Sequence, residues 1–155
     1  MDSTVLRVLL AEDNPNDVSA FRNALEKRDD RAMFKLEFAR DGLEALDYLN
    51  HRGEFAYAKR PDLCLTQPDL VVLNINMPGM DGWGVLGHMK GDPRFCAIPV
   101  VIWTIAEIEV YDARAYNWGA CGIFTKPVDP VDREAQVNAI LTYFRWARLS
   151  PHAPI

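Results

Sequence analysis

Four short apolar runs that do not alternate with polar residues constrain the fold of this chain most. They lie at residues 5–11, 70–74, 100–104 and 122–125, and a fifth, weaker run lies at 34–39. Strands with one solvated face alternate between apolar and polar residues, whereas runs such as VVL and VVIW are typical of strands buried on both faces. We therefore predict five strands in a sheet that is covered on both sides.

Segments of helical periodicity separate these runs. Three apolar stripes occur, formed by Val18, Phe21 and Leu25, by Leu43, Leu46 and Leu49, and by Ile108, Tyr111, Ala115 and Trp118. Asp41 followed by Gly42 predicts the start of the second helix, and Gly119 predicts the end of the third. Pro130 predicts the start of a last helix, because a missing N–H costs little there. Alternating strands and helices indicate right-handed βαβ units and a mostly parallel sheet.

The charge balance excludes several classes of partner. The 155 residues include 22 acidic and 17 basic side chains, so the formal net charge is −5. An acidic chain lacks the clustered Lys and Arg of a nucleic-acid surface, so we expect no nucleic-acid partner. The longest uncharged, apolar-rich stretch, residues 95–106, is too short to span a bilayer, and the N-terminus lacks the pattern of a signal peptide. We expect no membrane segment and a cytoplasmic location.

The cysteines and histidines show no metal-binding spacing. Cys64, Cys96 and Cys121 are an odd number without a CxxC pair, which favours reduced thiols over a disulfide framework or a zinc site. The three histidines lie in unrelated places and are predicted to be surface residues; they are His51, His88 and His152.

Polar residues follow most of the apolar runs, at the point where each strand is predicted to end. They are Glu12 and Asp13, Asn74, Thr104, and Lys126. A parallel sheet gathers such residues at one edge, where ligands bind in folds of this class. Paired carboxylates suit Mg²⁺, and a hydroxyl with an ammonium group suits a phosphoryl group.

Five segments, in this order, resemble the response-regulator receiver domain, the single-domain class typified by the bacterial chemotaxis regulator. They are VLLAEDNPND, ARDGLEALDYL, PDLVVLNINMPGMDG, IPVVIWT and TKPVD, and they span about residues 5–130. The resemblance implies an α/β, flavodoxin-like three-layer sandwich with a five-stranded parallel sheet and five helices. It also implies a single receiver domain over residues 1–149, a short tail over 150–155, and signalling rather than enzymatic activity.

A finer resemblance points to one group within this family. The segments RDGLEALDYL, RGEFAYAKRPDL and FTKPVD are most similar to phytochrome-associated response regulators. Those are stand-alone receivers that pair with light-sensing histidine kinases. The resemblance therefore implies a sensor histidine kinase as partner, with a bacteriophytochrome as the leading candidate.

The resemblance also assigns the site residues. Glu12 and Asp13 match the metal-binding acidic pair, and the backbone carbonyl of Asn76 matches the third protein ligand to Mg²⁺. Thr104 matches the hydroxyl that contacts the phosphoryl group. Lys126 matches the lysine that pairs with the phosphoacceptor.

Two further positions of the family pattern lie close to Lys126: Pro127 follows it directly, and Ile123 lies three residues before it. Pro127 matches a proline that a cis peptide bond is expected to precede. Ile123 stands where the family has its rotating aromatic switch residue. Phe124, one residue along, is predicted to point to the opposite face of the sheet.

Asn74 departs from the family at the phosphoacceptor position, which is normally Asp. An aspartyl phosphate forms because a carboxylate oxygen attacks phosphorus, and a neutral carboxamide is a poor nucleophile. We therefore predict that this chain is not phosphorylated in the usual way. Its Mg²⁺ affinity is predicted to be weak or absent, because one of three carboxylates is missing.

Two explanations of Asn74 remain open at this stage. It is either an Asp-to-Asn change in an ordinary, phosphorylatable receiver, or the native residue of a degenerate one. Ile105 follows Thr104 where the family has a small residue, and Ile123 replaces the aromatic switch. Three coordinated departures favour a native, degenerate receiver that acts by protein–protein contact.

Simpler interpretations of the same residues are also possible. Glu12 and Asp13 also fit a polar turn before a helix. Thr104 also fits a strand-end hydroxyl without a ligand. Lys126 also fits a structural salt bridge with Glu12 or Asp13, and this interpretation is favoured over catalysis.

Proteins of another class share parts of this pattern. A Mg²⁺-dependent phosphatase of the dehalogenase type needs Asp at both ends of a three-residue run, where this chain has Asn74, Ile75 and Asn76. A flavodoxin-like binder of small ligands needs a hydroxyl- and Gly-rich phosphate loop after the first strand, where this chain has the acidic AEDNPND. Both alternatives are disfavoured.

The last helix indicates an interface. At 100° per residue its apolar face is formed by Val137, Ile140, Leu141 and Phe144, which are predicted to pack on the sheet. Tyr143 and Trp146 point away from that face, and exposed aromatic residues indicate an interaction surface. We predict a homodimer that uses this helix and the C-terminal tail; the alternative is that the tail folds back over both side chains.

Overall fold

The computed structural model describes residues 5–63, 66–105 and 112–147. A five-stranded parallel sheet has the order β2-β1-β3-β4-β5. Its strands are β1 Leu6–Ala11, β2 Phe34–Ala39, β3 Leu70–Leu73, β4 Val100–Thr104 and β5 Gly122–Thr125. The five predicted strands are confirmed; the runs at 5–11 and 70–74 are each one residue longer than the strand they contain.

Helices cover both faces of the sheet; the first four connect consecutive strands, and the last follows β5. They are α1 Pro15–Glu26, α2 Gly42–Asn50, α3 Gly82–Lys90, α4 Asp112–Asn117 and α5 Pro130–Trp146. Short 3-10 helices lie at Arg31–Met33, Gly53–Phe55 and Pro61–Leu63. The flavodoxin-like three-layer sandwich is therefore confirmed.

The core consists of two layers, one on each side of the sheet. Successive residues of a strand point to opposite faces, so Leu9 packs with α2 and α3 whereas Leu10 packs with α1 and α5. Every residue of β3 and β4 is buried. This burial on both faces explains why the apolar runs lack alternation.

The helical stripes are partly confirmed. Phe21 is buried beneath α1, and Leu46 and Leu49 are buried beneath α2. Leu43 is 56% exposed, so the prediction that it belongs to the apolar stripe of α2 was wrong. Residues three apart are rotated by 60° about a helix axis, so Leu43 lies about 120° from Leu49 and leaves the buried face.

The third stripe is described only in part. Ala115 is buried in α4, whereas Trp118 lies after the helix and is 42% exposed. Gly119 has a φ of 103°, which supports the predicted helix end at this position. Ile108 and Tyr111 lie outside the described residues.

The predicted faces of α5 are confirmed. Pro130 begins this helix, after the Asp129 side chain accepts a hydrogen bond from the Val131 N–H. The four residues of its apolar face are buried against the α1 side of the sheet; they are Val137, Ile140, Leu141 and Phe144. Tyr143 and Trp146 are 67% and 74% exposed. The tail at 150–155 lies outside the described residues.

Three smaller predictions are also tested. Cys96 and Cys121 are free thiols, as expected, and Cys64 lies outside the described residues. His51 is only half exposed and both of its ring nitrogens are buried, so its place on the surface was wrong. His51 ends α2 in a left-handed conformation and stacks on Tyr57, which covers the ring. No helix in the described ranges is long and apolar enough to cross a membrane.

Candidate functional site

The ends of β1 and β3 bring the first site residues together. These strands are parallel neighbours with Ala11 opposite Leu73, and the Asn74 N–H donates to the Ala11 carbonyl at 3.0 Å. Glu12 and Asn74 therefore leave the sheet side by side. Both side chains are almost completely buried, whereas Asp13 is exposed.

A close approach by α3 supports this edge of the sheet. The Gly82 N–H donates to the Ile75 carbonyl at 2.8 Å, and a Cβ atom at Gly82 would lie 2.3 Å from the Asn74 carbonyl oxygen. Only glycine allows the start of α3 to pack this closely. The Asp81 side chain accepts a hydrogen bond from the Gly84 N–H and caps the helix.

The carboxamide of Asn74 turns its nitrogen toward the acidic pair. Asn74 Nδ2 lies 3.1 Å from each of three oxygen atoms: Glu12 Oε2, Asp13 Oδ1 and the Asn76 carbonyl oxygen. The three groups that the resemblance assigned to a metal therefore converge on an amide donor. Asn74 Oδ1 is buried and receives no hydrogen bond from any described residue.

Lys126 lies beside the acidic pair and is occupied by two carboxylates. Its Nζ donates to Glu12 Oε1 at 2.6 Å and to Asp17 Oδ2 at 2.7 Å. It also lies 4.9 Å from the centre of the Trp103 ring. The predicted salt bridge with Glu12 is confirmed, while the second partner is Asp17 rather than Asp13.

Arg133 extends this network onto α5. Its Nη1 donates to Asp17 Oδ1 at 2.8 Å. Its Nε and Nη2 donate to the Pro127 carbonyl at 3.0 and 2.7 Å, and Nη2 also reaches the Val128 carbonyl at 3.2 Å. Arg133 therefore connects the loop after β5 to the first turn of α1.

Sequence reasoning missed both Asp17 and Arg133. Asp17 lies in the first turn of α1, where an acidic residue is already explained by the helix dipole. Arg133 was the available signal, because a cation in the first turn of a helix opposes the dipole and needs a nearby acid. The chain therefore contained a hint of this ion pair, but not the identity of its partner.

Burial dominates the electrostatics of the site. Glu12, Asp17 and Lys126 are each no more than 5% exposed. Burial raises the pKa of Glu12 to about 7, although the Lys126 ammonium group acts in the opposite direction. The network contains two acidic and two basic side chains. Lys126 pairs with Glu12 and Asp17, and Arg133 pairs with Asp17.

The predicted switch positions lie on the neighbouring strands. Thr104 is buried at the end of β4, and its carbonyl accepts a hydrogen bond from the Lys126 N–H at 2.9 Å. Ile105 is 69% exposed. Ile123 packs on the α2 and α3 side of the sheet and Phe124 on the α1 and α5 side, as predicted.

The peptide bond before Pro127 is trans, as are the other peptide bonds between described residues. The expected cis bond was therefore wrong. The trans isomer is the more stable form of an X–Pro bond by about 0.5–1 kcal/mol in the absence of other constraints.

The residues present fit a divalent cation only in part. Carboxylate and carbonyl oxygens are the ligands that Mg²⁺ prefers, and three of them converge at the site. However, they converge on a hydrogen-bond donor, which cannot be a metal ligand. Across the described ranges, no group of three or more His, Cys, Asp or Glu side chains is placed to hold a metal ion. In this arrangement the site does not fit the metal.

Comparisons with known proteins identify relatives over most of the chain. A sequence model of the response regulator receiver domain matches residues 8–138. Response regulator Rcp1 of Synechocystis sp. is 32% identical over 137 residues, which are 88% of this chain and 87% of Rcp1. Response regulator Rre1 of the same organism is 31% identical over 136 residues, and this chain spans about half (52%) of its length.

Solved structures agree with these relatives. The phosphorylated cyanobacterial phytochrome response regulator RcpA has a TM-score of 0.83 and 29% identity, covering 95% of this chain and 99% of RcpA. The Mn²⁺-bound form of Rcp1 has a TM-score of 0.81 and 27% identity, covering 94% of this chain and 99% of that one. Receiver domains bind Mg²⁺ or Mn²⁺ at their acidic site and interact with histidine kinases.

The sheet order, the site at its carboxyl edge and the match over residues 8–138 agree with one another. The chain belongs to the response regulator receiver domain family, and its close structural relatives include phytochrome-associated response regulators.

Proposed function

We propose that this receiver acts in two-component signal transduction by binding a sensor histidine kinase, without accepting a phosphoryl group at position 74. The orientation of Asn74 carries the proposal. Its amide nitrogen faces Glu12, Asp13 and the Asn76 carbonyl, where a receiver needs a carboxylate and a cation.

The chemistry of phosphoryl transfer supports this proposal. An acyl phosphate requires attack by a carboxylate oxygen, and the carboxamide of Asn74 offers only a neutral oxygen of low nucleophilicity. Lys126, which would neutralise the incoming phosphoryl group, is already hydrogen-bonded to Glu12 and Asp17. Weak Mg²⁺ binding is part of the proposal, since the site keeps two carboxylates and adds a donor.

Two neighbouring positions favour a native, degenerate receiver over an ordinary one with a single Asp-to-Asn change. Ile105 presents a large apolar side chain directly after Thr104, and the partly buried Ile123 packs against the core where the family has an aromatic switch residue. A change at position 74 alone would leave both positions typical of the family.

A phytochrome histidine kinase is the leading candidate for the partner. This part of the proposal is supported by the likeness to RcpA, a phytochrome response regulator, over 95% of the chain. A homodimer through α5 and the tail is also proposed, because Tyr143 and Trp146 are both exposed. Tyr143 also lines an apolar groove together with Phe124, Ile140 and Phe144. In this proposal the contact with the kinase and the contact between two copies of the chain together transmit the signal.

A phosphorylation assay tests the missing chemistry. The purified chain is incubated with acetyl phosphate and Mg²⁺, and we expect no phosphoryl uptake. A stable acyl phosphate on the unmodified chain would contradict the proposal. Asn74→Asp is the matched variant: uptake by it shows that the remaining groups are competent, and no uptake supports a degenerate site shaped by Ile105 and Ile123.

Binding measurements test the partner. We expect the chain to bind a phytochrome histidine kinase, in titration calorimetry, equally well whether or not the kinase is autophosphorylated. Equal binding follows because no phosphoryl transfer is needed for recognition. Loss of all binding with both forms of the kinase would contradict this partner, and a kinase lacking the phytochrome module is the control.

A further inference from the structure

The Asn74 side chain joins the two segments that carry the acidic pair and the carbonyl group assigned by resemblance to a divalent cation. Glu12 and Asp13 follow β1, and Asn76 lies in the loop that follows β3. Asn74 Nδ2 lies at the same distance, 3.1 Å, from an oxygen atom of each. We infer that the Asn74 carboxamide takes the place of the divalent cation, so that this receiver is held in one state without metal.

The inference rests on the proposed function, because it explains how a site that accepts no phosphoryl group is kept in order. It goes further in giving Asn74 a structural role instead of describing only the loss of a nucleophile.

The chemistry of the surrounding atoms determines the orientation of the amide. All three atoms around Asn74 Nδ2 are acceptors, and two of them belong to carboxylates. An amide oxygen in that position would face three other oxygens without a hydrogen between them. The NH₂ group supplies two hydrogens, which the three acceptors share.

The burial of the neighbouring acids explains why the hydrogen bonds of the Asn74 amide, called here the amide cross-link, are needed there. Glu12 is 2% exposed, and its Oε1 is the oxygen that Lys126 binds. Its Oε2 is bound by the Asn74 amide and by the Asn14 N–H at 3.1 Å. An aspartate at position 74 would add a third carboxylate beside Glu12 and Asp13, and close like charges raise one another's free energy. A cation would then be required, whereas the amide makes it unnecessary.

Thermal unfolding of the folded chain tests this role. Asn74→Asp in EDTA is expected to melt about 5 °C or more below the unmodified chain, and millimolar Mg²⁺ or Mn²⁺ is expected to restore most of that loss. The unmodified chain is expected to shift by less than about 1 °C on the same addition. Asn23→Asp, the same chemical change at an exposed position of α1, is the control and should show neither effect.

Direct metal binding provides a second measurement. Mn²⁺ affinity, followed by water proton relaxation, is expected to be at least about tenfold higher in Asn74→Asp than in the unmodified chain. If Asn74→Asp does not fold under either condition, Asn74→Ala decides, because it removes the amide without adding charge. It should bind Mn²⁺ more tightly than the unmodified chain and melt at a lower temperature in EDTA.

Two outcomes would overturn the inference. One is an unmodified chain that binds Mn²⁺ as tightly as Asn74→Asp; the other is Asn74→Asp, or Asn74→Ala in its place, being as stable in EDTA as the unmodified chain. These outcomes are separate from failure of the proposed function. If the unmodified chain is independent of metal but is phosphorylated, or binds no kinase, only the proposed function fails. If the unmodified chain binds metal but is not phosphorylated, only the role inferred for the Asn74 amide fails.

Discussion

The carboxyl edge of the sheet and the outer face of α5 differ in how their side chains are satisfied. At the edge, Glu12, Asp17 and Lys126 are charged or titratable, almost completely buried and hydrogen-bonded to one another. On α5, Tyr143 and Trp146 are aromatic and mostly exposed. Polar groups are therefore inside and apolar groups outside, the reverse of the usual distribution.

This difference separates a region that is internally complete from one that is not. Removing one partner from the buried network leaves a charge without its counter-charge, which costs folding free energy. A new ligand that displaced one of these partners would carry the same free-energy cost. The α5 face needs no rearrangement to bury more apolar area. We therefore expect changes at the edge to act on stability and changes on α5 to act on association.

The largest effect is expected from Lys126→Met. This variant leaves Glu12 and Asp17 buried without their shared cation, and breaking a buried ion pair from one side costs about 3–5 kcal/mol. Urea unfolding measures the loss. Lys27→Met is the matched control: Lys27 pairs with Glu134 at 2.8 Å but is 72% exposed, so its loss should cost less than about 1 kcal/mol. Equal losses in both variants would remove the distinction between the regions.

A smaller loss is expected from Asp17→Asn. The variant keeps the shape of the side chain but removes the charge that joins Lys126 to Arg133. Hydrogen bonds to charged groups contribute about 1.5–3 kcal/mol each, and the amide oxygen keeps part of that. Asp132→Asn, in the exposed first turn of α5, should cost less than about 1 kcal/mol in the same unfolding experiment. Small, equal losses in the two variants would show that Asp17 acts only on the helix dipole.

The pH dependence of stability should reveal the burial of Glu12. Its pKa is raised from 4.5 to about 7 in the folded chain, so the folded state binds more protons than the unfolded state between these values. Stability should therefore fall as pH rises from about 4.5 to about 7, by no more than about 3 kcal/mol.

His51 acts in the opposite direction, because burial lowers its pKa and its contribution is lost as pH falls. The comparison is thus between the unmodified chain and Glu12→Gln, which share His51. Chemical unfolding at several pH values should show that the free energy of unfolding falls less with rising pH in Glu12→Gln than in the unmodified chain. A decline of the same size in both would exclude Glu12 as its source.

The smallest effect on stability, and the largest on association, is expected from Tyr143→Ser combined with Trp146→Ser. Exposed side chains contribute about 0.5 kcal/mol or less to folding, so the unfolding curve should barely move. Sedimentation should show the proposed dimer dissociating. Leu43→Ser, which changes an apolar residue of α2 that is 56% exposed, should leave the dimer intact. A monomer at high micromolar concentration of the unmodified chain would contradict the interface itself.

Local patterns predicted the sheet well and the contacts of the site poorly. The strands were visible because burial on both faces leaves a continuous apolar run, as in β4. The edge was visible because parallel strands end together, which brought Glu12 and Asn74 to one place. Asp17 was not predicted as a site residue, because the helix dipole already explains an acidic residue in the first turn of α1. Leu43 was misplaced because a three-residue spacing drifts around the helix.

The amino-acid sequence by itself determined the fold class, the edge at which the site lies and the absence of a carboxylate at position 74. These follow from residue type and periodicity, which are local properties of the chain. Only the tertiary structure decided that the Asn74 nitrogen faces the acidic pair and that Lys126 lies between Glu12 and Asp17. Hydrogen bonds between residues 61 to 114 positions apart depend on the packing of the whole sheet, and no pattern within a segment specifies them.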